Sequence, residues 1–336
     1  MADVSPAHTS GFAFWPVLAL LALFAAVPGL AALLGEPFLV KVATRVVIFA
    51  IAACALNLVL GYGGLVSLLH AGMFGIGGYV EAILSWHEFN GEALLAGWNG
   101  TQSLILALPL AAAIAALAAA LMGLVSLRTS GSYFIMITLA FNQMLYYFAV
   151  SLQRYGGEDG LQISGQLQLG LVNPANRYAF FYVCLAVLAL VLAILERLCA
   201  SRFGMALRAA AFNERRVAAL GISPLPVKLV AFAISGGLTG LAGGLLATGQ
   251  QFISPADMSW VRSGDLVVMC VLGGLSTVWG PVVGAAVFLV LELVLSSYTT
   301  YWQLPFGLII IALAVFLRGG LSDILAVLLP GRRAQP

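Results

Sequence analysis

The chain has 336 residues, of which 62% are hydrophobic and only 8% charged, with a formal net charge of +2. Soluble domains carry about 25% charged residues, so a water-soluble fold is excluded. Continuous Ala-, Leu- and Gly-rich runs exclude a β-barrel, whose strands alternate apolar and polar positions, and the lack of a long basic block excludes a nucleic-acid binder.

A helix needs roughly 20 apolar residues to cross a bilayer. The first such run, Phe12 to Leu34, is too long for the core of a signal peptide and follows Asp3 rather than a basic segment, so it predicts a retained span after a tail, 1–11. Further runs at 40–60, 68–86, 102–127, 132–152, 178–200, 228–249, 264–277, 280–298 and 304–320 predict about ten membrane helices in a single all-α polytopic domain, 12–320, followed by a tail, 321–336. The stretch from Leu266 to Tyr298 is too long for one crossing and short for two. Gly273-Gly274 and Gly280-Pro281 interrupt it, which predicts a short or re-entrant segment and then a full span.

With the N-terminus cytoplasmic, Arg128, Arg197, Arg202, Arg208, Arg215, Arg216, Lys228, Arg318, Arg332 and Arg333 fall inside, and Lys41, Arg45, Arg154, Arg177 and Arg262 outside. That asymmetry satisfies the positive-inside rule. It makes loop 201–228 and both termini cytoplasmic, and loops 86–101 and 153–177 external.

Between the second and third runs, residues 57–79 place Asn57, Ser67, His70 and Tyr79 among seven glycines. Such density suits broken helices of the kind that bind solutes at mid-membrane; it equally suits a close-packed hairpin. On the fifth run Thr138, Asn142 and Gln143 lie within about one turn of each other. Asn57, Ser67, His70, Thr138, Asn142 and Gln143 are therefore candidate lining residues of a substrate path. Glu292 is a carboxylate inside the ninth run, where an ionisable group is costly and is a candidate functional site; a bond to a neighbouring helix accounts for it equally. Gly236, Gly240 and Gly244, like Gly280 and Gly284, recur every fourth residue, the spacing that lets helix backbones approach in lipid.

Some chemistry is missing. Lys41 and Lys228 are each preceded by Val, so no phosphate-binding GxxxxGK[ST] loop exists. His8, His70 and His87 form no metal-binding pair, and Cys54, Cys184, Cys199 and Cys270 form no CxxC pair and read as small core residues. No metal site or cofactor is expected in the chain, and an enzyme built on His70 would lack partners for it. The loop GMALRAAAFNERRVAALGI, 204–222, predicts one short amphipathic helix between Gly204 and Gly221, either lying on anionic headgroups or docking a protein.

Several blocks now stand in a fixed order: the 57–79 stretch, TLAF at 138–141, GGEDGL at 156–161, FGMALRA at 203–209 followed by NERR and LGI, Ser254-Pro255, and LGGLSTVWGPVVG at 272–284. From about residue 45 to 320 the chain resembles the M-type permease subunit of branched-chain amino-acid (Liv-type) ABC importers. The resemblance implies a type II-like importer permease with inverted repeats in the bacterial inner membrane. It further implies a related second permease as heterodimer partner, two ATPase subunits that bind ATP and Mg, and a periplasmic substrate-binding protein. An EAA-like coupling pattern falls on Glu214, Ala218, Ala219 and Gly221, with Arg208 and Arg215 beside it as further coupling residues. Leu69 stands where the family often has Gly, and Tyr155 where Thr usually precedes the Gly pair, so the small-molecule substrate stays open among branched-chain amino acids, urea, amides and aromatic acids. The repeat is faintly visible as GGL at 63–65 and again at 273–275. The alternative is a self-sufficient secondary transporter or channel using Glu292 or Glu81 as a proton or ion site.

Overall fold

A computed structural model describes residues 14–93, 99–163, 176–298, 301–316 and 321. In chain order the helices are α1 (Phe14–Leu34), α2 (Pro37–Asn57), α3 (His70–Asn90), α4 (Leu104–Ser126), α5 (Ser132–Ser151), α6 (Arg177–Ala200), α7 (Arg202–Phe212), α8 (Glu214–Ala219), α9 (Pro224–Gln250), α10 (Trp260–Gly273), α11 (Gly280–Tyr298) and α12 (Gln303–Phe316). Among the described residues, sheet is confined to β1 (Leu161–Gln162) paired antiparallel with β2 (Phe252–Ile253). The all-α polytopic fold stands, and each predicted run coincides with a helix.

Among the described residues, six helical segments are long and apolar enough to cross a membrane: α2 with its continuation to Tyr62, α4, α5, α6, α9 and α11. α10 has 14 residues, about 21 Å of helix, too short for a hydrocarbon core of about 30 Å. That is the short segment predicted from its glycine breaks. α3 carries His70, Glu81, His87 and Glu88 and is not among the six. The predicted tail 1–11 and residues 322–336 of the predicted tail 321–336, with Arg332 and Arg333, lie outside the described residues, as do Arg318 and the stretches 94–98 and 164–175 of the two loops predicted to be external.

The glycine spacing does what lipid-embedded packing requires. α9 lies between α3 and α4, and a Cβ at Gly240 or Gly236 would overlap Ala115 or Ala119 of α4, while one at Gly243 would overlap the carbonyl of Phe74 on α3. Small residues thus bring three backbones together, which is where helix association in lipid gains its dispersion energy. Gly284 likewise packs against Met269 and Gly273, closing the α10–α11 hairpin. α2 is buried almost throughout from Val40 to Asn57 and is wrapped by α1, α6, α9, α10 and α11.

These contacts fix directions and depths. α4 runs antiparallel to α9, since Gly123 meets Phe232 and Leu108 meets Gly244; α3 runs parallel to it, since His70 meets Ser235 and Gly78 meets Gly243. Ser235 lies eleven residues beyond Pro224, about 16 Å up the helix. His70, the first residue of α3, therefore sits near mid-height of the bundle. α2 ends in a π-helical turn, Leu58–Tyr62, after which residues 63–69 climb back without helix to reach His70. Gly64 makes that reversal at φ +64°, a conformation few other residues adopt.

The chain repeats the device upside down. After α9 it turns back, so that Met258 packs against Gly75 and α10 also begins at mid-height, its Arg262 guanidinium 5.6 Å from the Phe49 ring centroid. The pairs α2–α3 and α9–α10 run in opposite senses, as an inverted repeat does. The two GGL triplets are not its equivalents: GGL at 63–65 precedes α3 whereas Gly273 ends α10, and the two lie near each other in space, with Leu275 O beside Gly61. A shared short string in a Gly- and Leu-rich chain is a weak guide to equivalent positions.

Candidate functional site

Where the two re-entrant stretches meet, backbone groups lose their helical partners at a depth where water is scarce. An unpaired amide or carbonyl there is costly, and polar side chains take up the bonds. Ser263 Oγ donates to Leu68 O at 2.6 Å and accepts from Ala71 N at 3.0 Å, tying the start of α10 to the start of α3. Asn142 accepts from Gly72 N at 2.7 Å through Oδ1 and donates to Met258 O at 2.8 Å through Nδ2, so that one α5 side chain holds both breaks. Thr138 Oγ1 accepts from Leu68 N at 3.3 Å, and Ser67 Oγ accepts from Leu69 N at 3.3 Å. His70 Nε2 lies 2.8 Å from Ser235 Oγ, whose own proton goes to Ala55 O. The ring therefore donates from Nε2, and its buried Nδ1 keeps a free lone pair. Asn57 donates to Thr277 O at 2.9 Å, fastening the foot of α2 to the α10–α11 turn.

Four of the six candidate lining residues, Ser67, His70, Thr138 and Asn142, thus converge on one crossing, while Asn57 holds the α10–α11 turn; all five are buried, and Gln143 is half-buried beside Asn142. What they do in this conformation is hold broken backbone, with free acceptors left at Asn57 Oδ1 and His70 Nδ1. Ser235 and Ser263 belong with them and escaped the sequence reading. A lone serine in an apolar run gives no local signal, and its importance comes only from the distant segments it joins. Of the two carboxylates, Glu292 pairs with Arg45 at 3.3 Å, whereas Glu81 is buried with both oxygens unpartnered.

The loop between α6 and α9 differs from the single helix predicted. Asn213 takes an extended backbone (φ −159°) and caps α8 by accepting from Arg216 N, so the segment breaks into α7 and α8. Capping by Asn favours this break over a continuous helix. α8 holds itself down through buried Val217 and through the Glu214–Lys228 ion pair. Arg215, Ala218, Ala219 and Gly221 are exposed, and Gly221 turns the chain at φ +83° in open space. Beside them Phe212 and Leu220 are 92% and 76% exposed, large apolar side chains on a face beyond the spans.

Arg208, by contrast, turns inward. Its guanidinium lies 4.4 Å from the Tyr62 ring centroid, and Ala211 Cβ is close against Gly64. α7 therefore rests directly on the π-helical turn and the first residues of the re-entrant stretch that ends at His70. On the opposite face, Tyr155 hydrogen-bonds His87 Nε2 at 2.9 Å and packs edge-on to Trp86, while Arg154 pairs with Glu92. The residue that departs from the family pattern thus anchors the 153–163 segment to the end of α3. Leu69, the other departure, is fully buried next to His70.

The sequence matches the family described as branched-chain amino acid transport system permease component over residues 38–317. It is 29% identical over 306 residues to the high-affinity branched-chain amino acid transport system permease protein LivM of Salmonella typhimurium, covering 84% of this chain and 69% of the relative, and to the same extent to LivM of Escherichia coli. A shorter match, 27% identical over 189 residues, covers 53% of this chain and 55% of the galactose/methyl galactoside import permease protein MglC of Salmonella typhimurium. No solved structure matches the chain. Because the family match runs unbroken from α2 to α12 and takes in both re-entrant breaks and the α7–α8 loop, the chain belongs to the branched-chain amino acid transport permease family.

Proposed function

We propose that the chain is the pore-forming subunit of an ATP-driven importer of branched-chain amino acids or a related small solute. It works with a second permease, two ATPase subunits and a periplasmic binding protein in a bacterial inner membrane, with the α7–α8 face cytoplasmic. The observation that carries this reading is a continuous mechanical route. Exposed Phe212, Leu220 and the Glu214–Gly221 surface offer a docking face, and α7 behind them presses on Tyr62 and Gly64, at the root of the segment that ends in the mid-height crossing. Movement of a docked ATPase reaches residues 63–69 without crossing a loosely packed region. Two crossed half-helices held by a few hydrogen bonds form a bistable element that such movement can shift.

The names of the LivM relatives support amino-acid import, and the MglC name supports the same architecture carrying other small solutes. ATP-dependent uptake of radiolabelled L-leucine into proteoliposomes tests the reading. Uptake is expected only when the companion permease, the ATPases and internal ATP are present. Uptake by this chain alone, driven by a proton or sodium gradient, would contradict it.

A further inference from the structure

A cavity of about 690 Å³ opens among α2, α6, α9 and α11 on the side of the crossing away from α7–α8. α2 and α6 begin beside it, and α9 and α11 finish there. Its wall gathers basic side chains. Among the described residues, the cations on this side of the crossing are Lys41, Arg45, Arg154, Arg177 and Arg262, and Lys41, Arg45 and Arg177 all line this one cavity. Arg154 pairs with Glu92, and Arg262 with Asp257 and Asp265. The acid of the described wall, Glu292, is taken up by Arg45 at 3.3 Å, which leaves Lys41 and Arg177 with no ion-pair partner among the described residues. The wall is therefore net positive. Depth adds a second observation. The helical segment from Pro37 to Tyr62 has 26 residues, about 39 Å of helix, close to the roughly 40–45 Å of a bilayer with its headgroups. Lys41 lies one turn beyond Pro37, about 6 Å in, at headgroup depth. Apolar side chains flank the cations: Phe38 and Leu293 also line the cavity and are 54% and 38% exposed. α6 and α11 both pack on α2, and the cavity occupies the space between them.

We propose that this cavity binds an anionic phospholipid of the surrounding leaflet, its phosphate held by Lys41 and Arg177 and the start of its acyl chains laid against Phe38 and Leu293. The charge selects an anion, and basic pockets between membrane helices are where anionic headgroups bind. The apolar flank selects a lipid. A free anion or an acidic protein loop would answer the two cations, but neither would cover the apolar side chains exposed beside them. The volume agrees, since it is far more than a bare inorganic anion fills and lies within the roughly 300–1,000 Å³ usual for a small organic group. Gln250 and Ser296, on the same wall, offer hydrogen bonds to the rest of the headgroup. Bound there, the lipid bridges α6 and α11 across α2. Each cation beside an anionic headgroup contributes a factor of about five in affinity, so Lys41 and Arg177 together favour an anionic over a zwitterionic headgroup by about 25-fold. This site is separate from the solute path and holds whichever solute the protein carries.

The test places a reporter thiol on the cavity wall by Ser296→Cys in the full chain, purified with its bound partner subunits and reconstituted in nanodiscs of phosphatidylcholine. The native cysteines are all buried, so the new thiol is the reactive one. Its modification by an uncharged, water-soluble methanethiosulfonate is followed as phosphatidylglycerol replaces a tenth to a third of the phosphatidylcholine. Modification is expected to slow at least fivefold. The same lipid change is expected to leave a thiol at Ile105→Cys unaffected, since Ile105 is exposed at the start of α4 and does not line the cavity. Adding Lys41→Gln and Arg177→Gln to the reporter chain is expected to abolish the slowing. Neither residue is buried or ion-paired among the described residues, so the fold should survive both changes. Equal rates in the two lipids overturn the proposal even without the double variant, as do equal slowing at both thiols and slowing that persists without the two cations. Two further outcomes also overturn it. Protection by inorganic phosphate in pure phosphatidylcholine would make the cavity a free-anion site, and protection by an added periplasmic binding protein but not by phosphatidylglycerol would make it a protein-docking surface.

Discussion

Asn142 shows how a single polar residue serves a membrane protein. It was visible in the sequence because an amide in an apolar run is unusual; that it clamps Gly72 to Met258 was not, since those residues are 186 positions apart along the chain (258 − 72) and only the fold brings them to one side chain. Asn142→Ala removes a donor and an acceptor together and strands two buried backbone groups, each worth about 1–3 kcal/mol. A clear fall in the thermal unfolding midpoint of the purified protein is expected, with Gln143→Ala close to wild type. Comparable midpoints for the two variants would contradict the assignment of the crossing to Asn142. Ser263→Ala is expected to resemble Asn142→Ala, because it leaves Leu68 O and Ala71 N unpaired.

At the level of elements, hydropathy located the spans but not the breaks. The apolar runs end at 60 and resume at 68, but residues 63–69 are as apolar as the helices around them, so hydropathy did not show that the chain climbs back to mid-height without helix before α3 begins. The four-residue glycine spacing, in contrast, identified the face on which α9 packs, because close approach admits few residue types. A Cβ at Gly77 would overlap the Gly240 carbonyl; Gly77→Val is accordingly expected to abolish recovery of folded protein in detergent, whereas Gly264→Ala, at a site with open space, is expected to preserve it. The loop helix was legible in outline, and its division was missed because Asn213 was read as one polar residue of a helix rather than as a cap. Contact between α7 and Tyr62 predicts a separable defect. Arg208→Leu is expected to keep the ATPases bound but to lower uptake at least severalfold by removing a cation–π contact worth about 0.5–2 kcal/mol. Loss of ATPase binding in that variant would place Arg208 in the docking surface instead.

Over the whole molecule, two halves of opposite sense enclose a crossing, with a charged cavity on one side and the exposed α7–α8 face, proposed to dock the ATPases, on the other. The distribution of basic residues, the resemblance and the fold agree on what kind of machine this is. The substrate was not legible, because the crossing is held by residues that any small solute could meet. The most direct trial concerns the partner face, where Phe212 and Leu220 are exposed and contribute little to the chain's own packing. Phe212→Asp with Leu220→Asp is expected to leave membrane insertion and the unfolding midpoint unchanged while co-purification of the ATPase subunits and ATP-dependent uptake are both lost. Full co-purification and uptake in that double variant would contradict the assignment of α7–α8 as the coupling element.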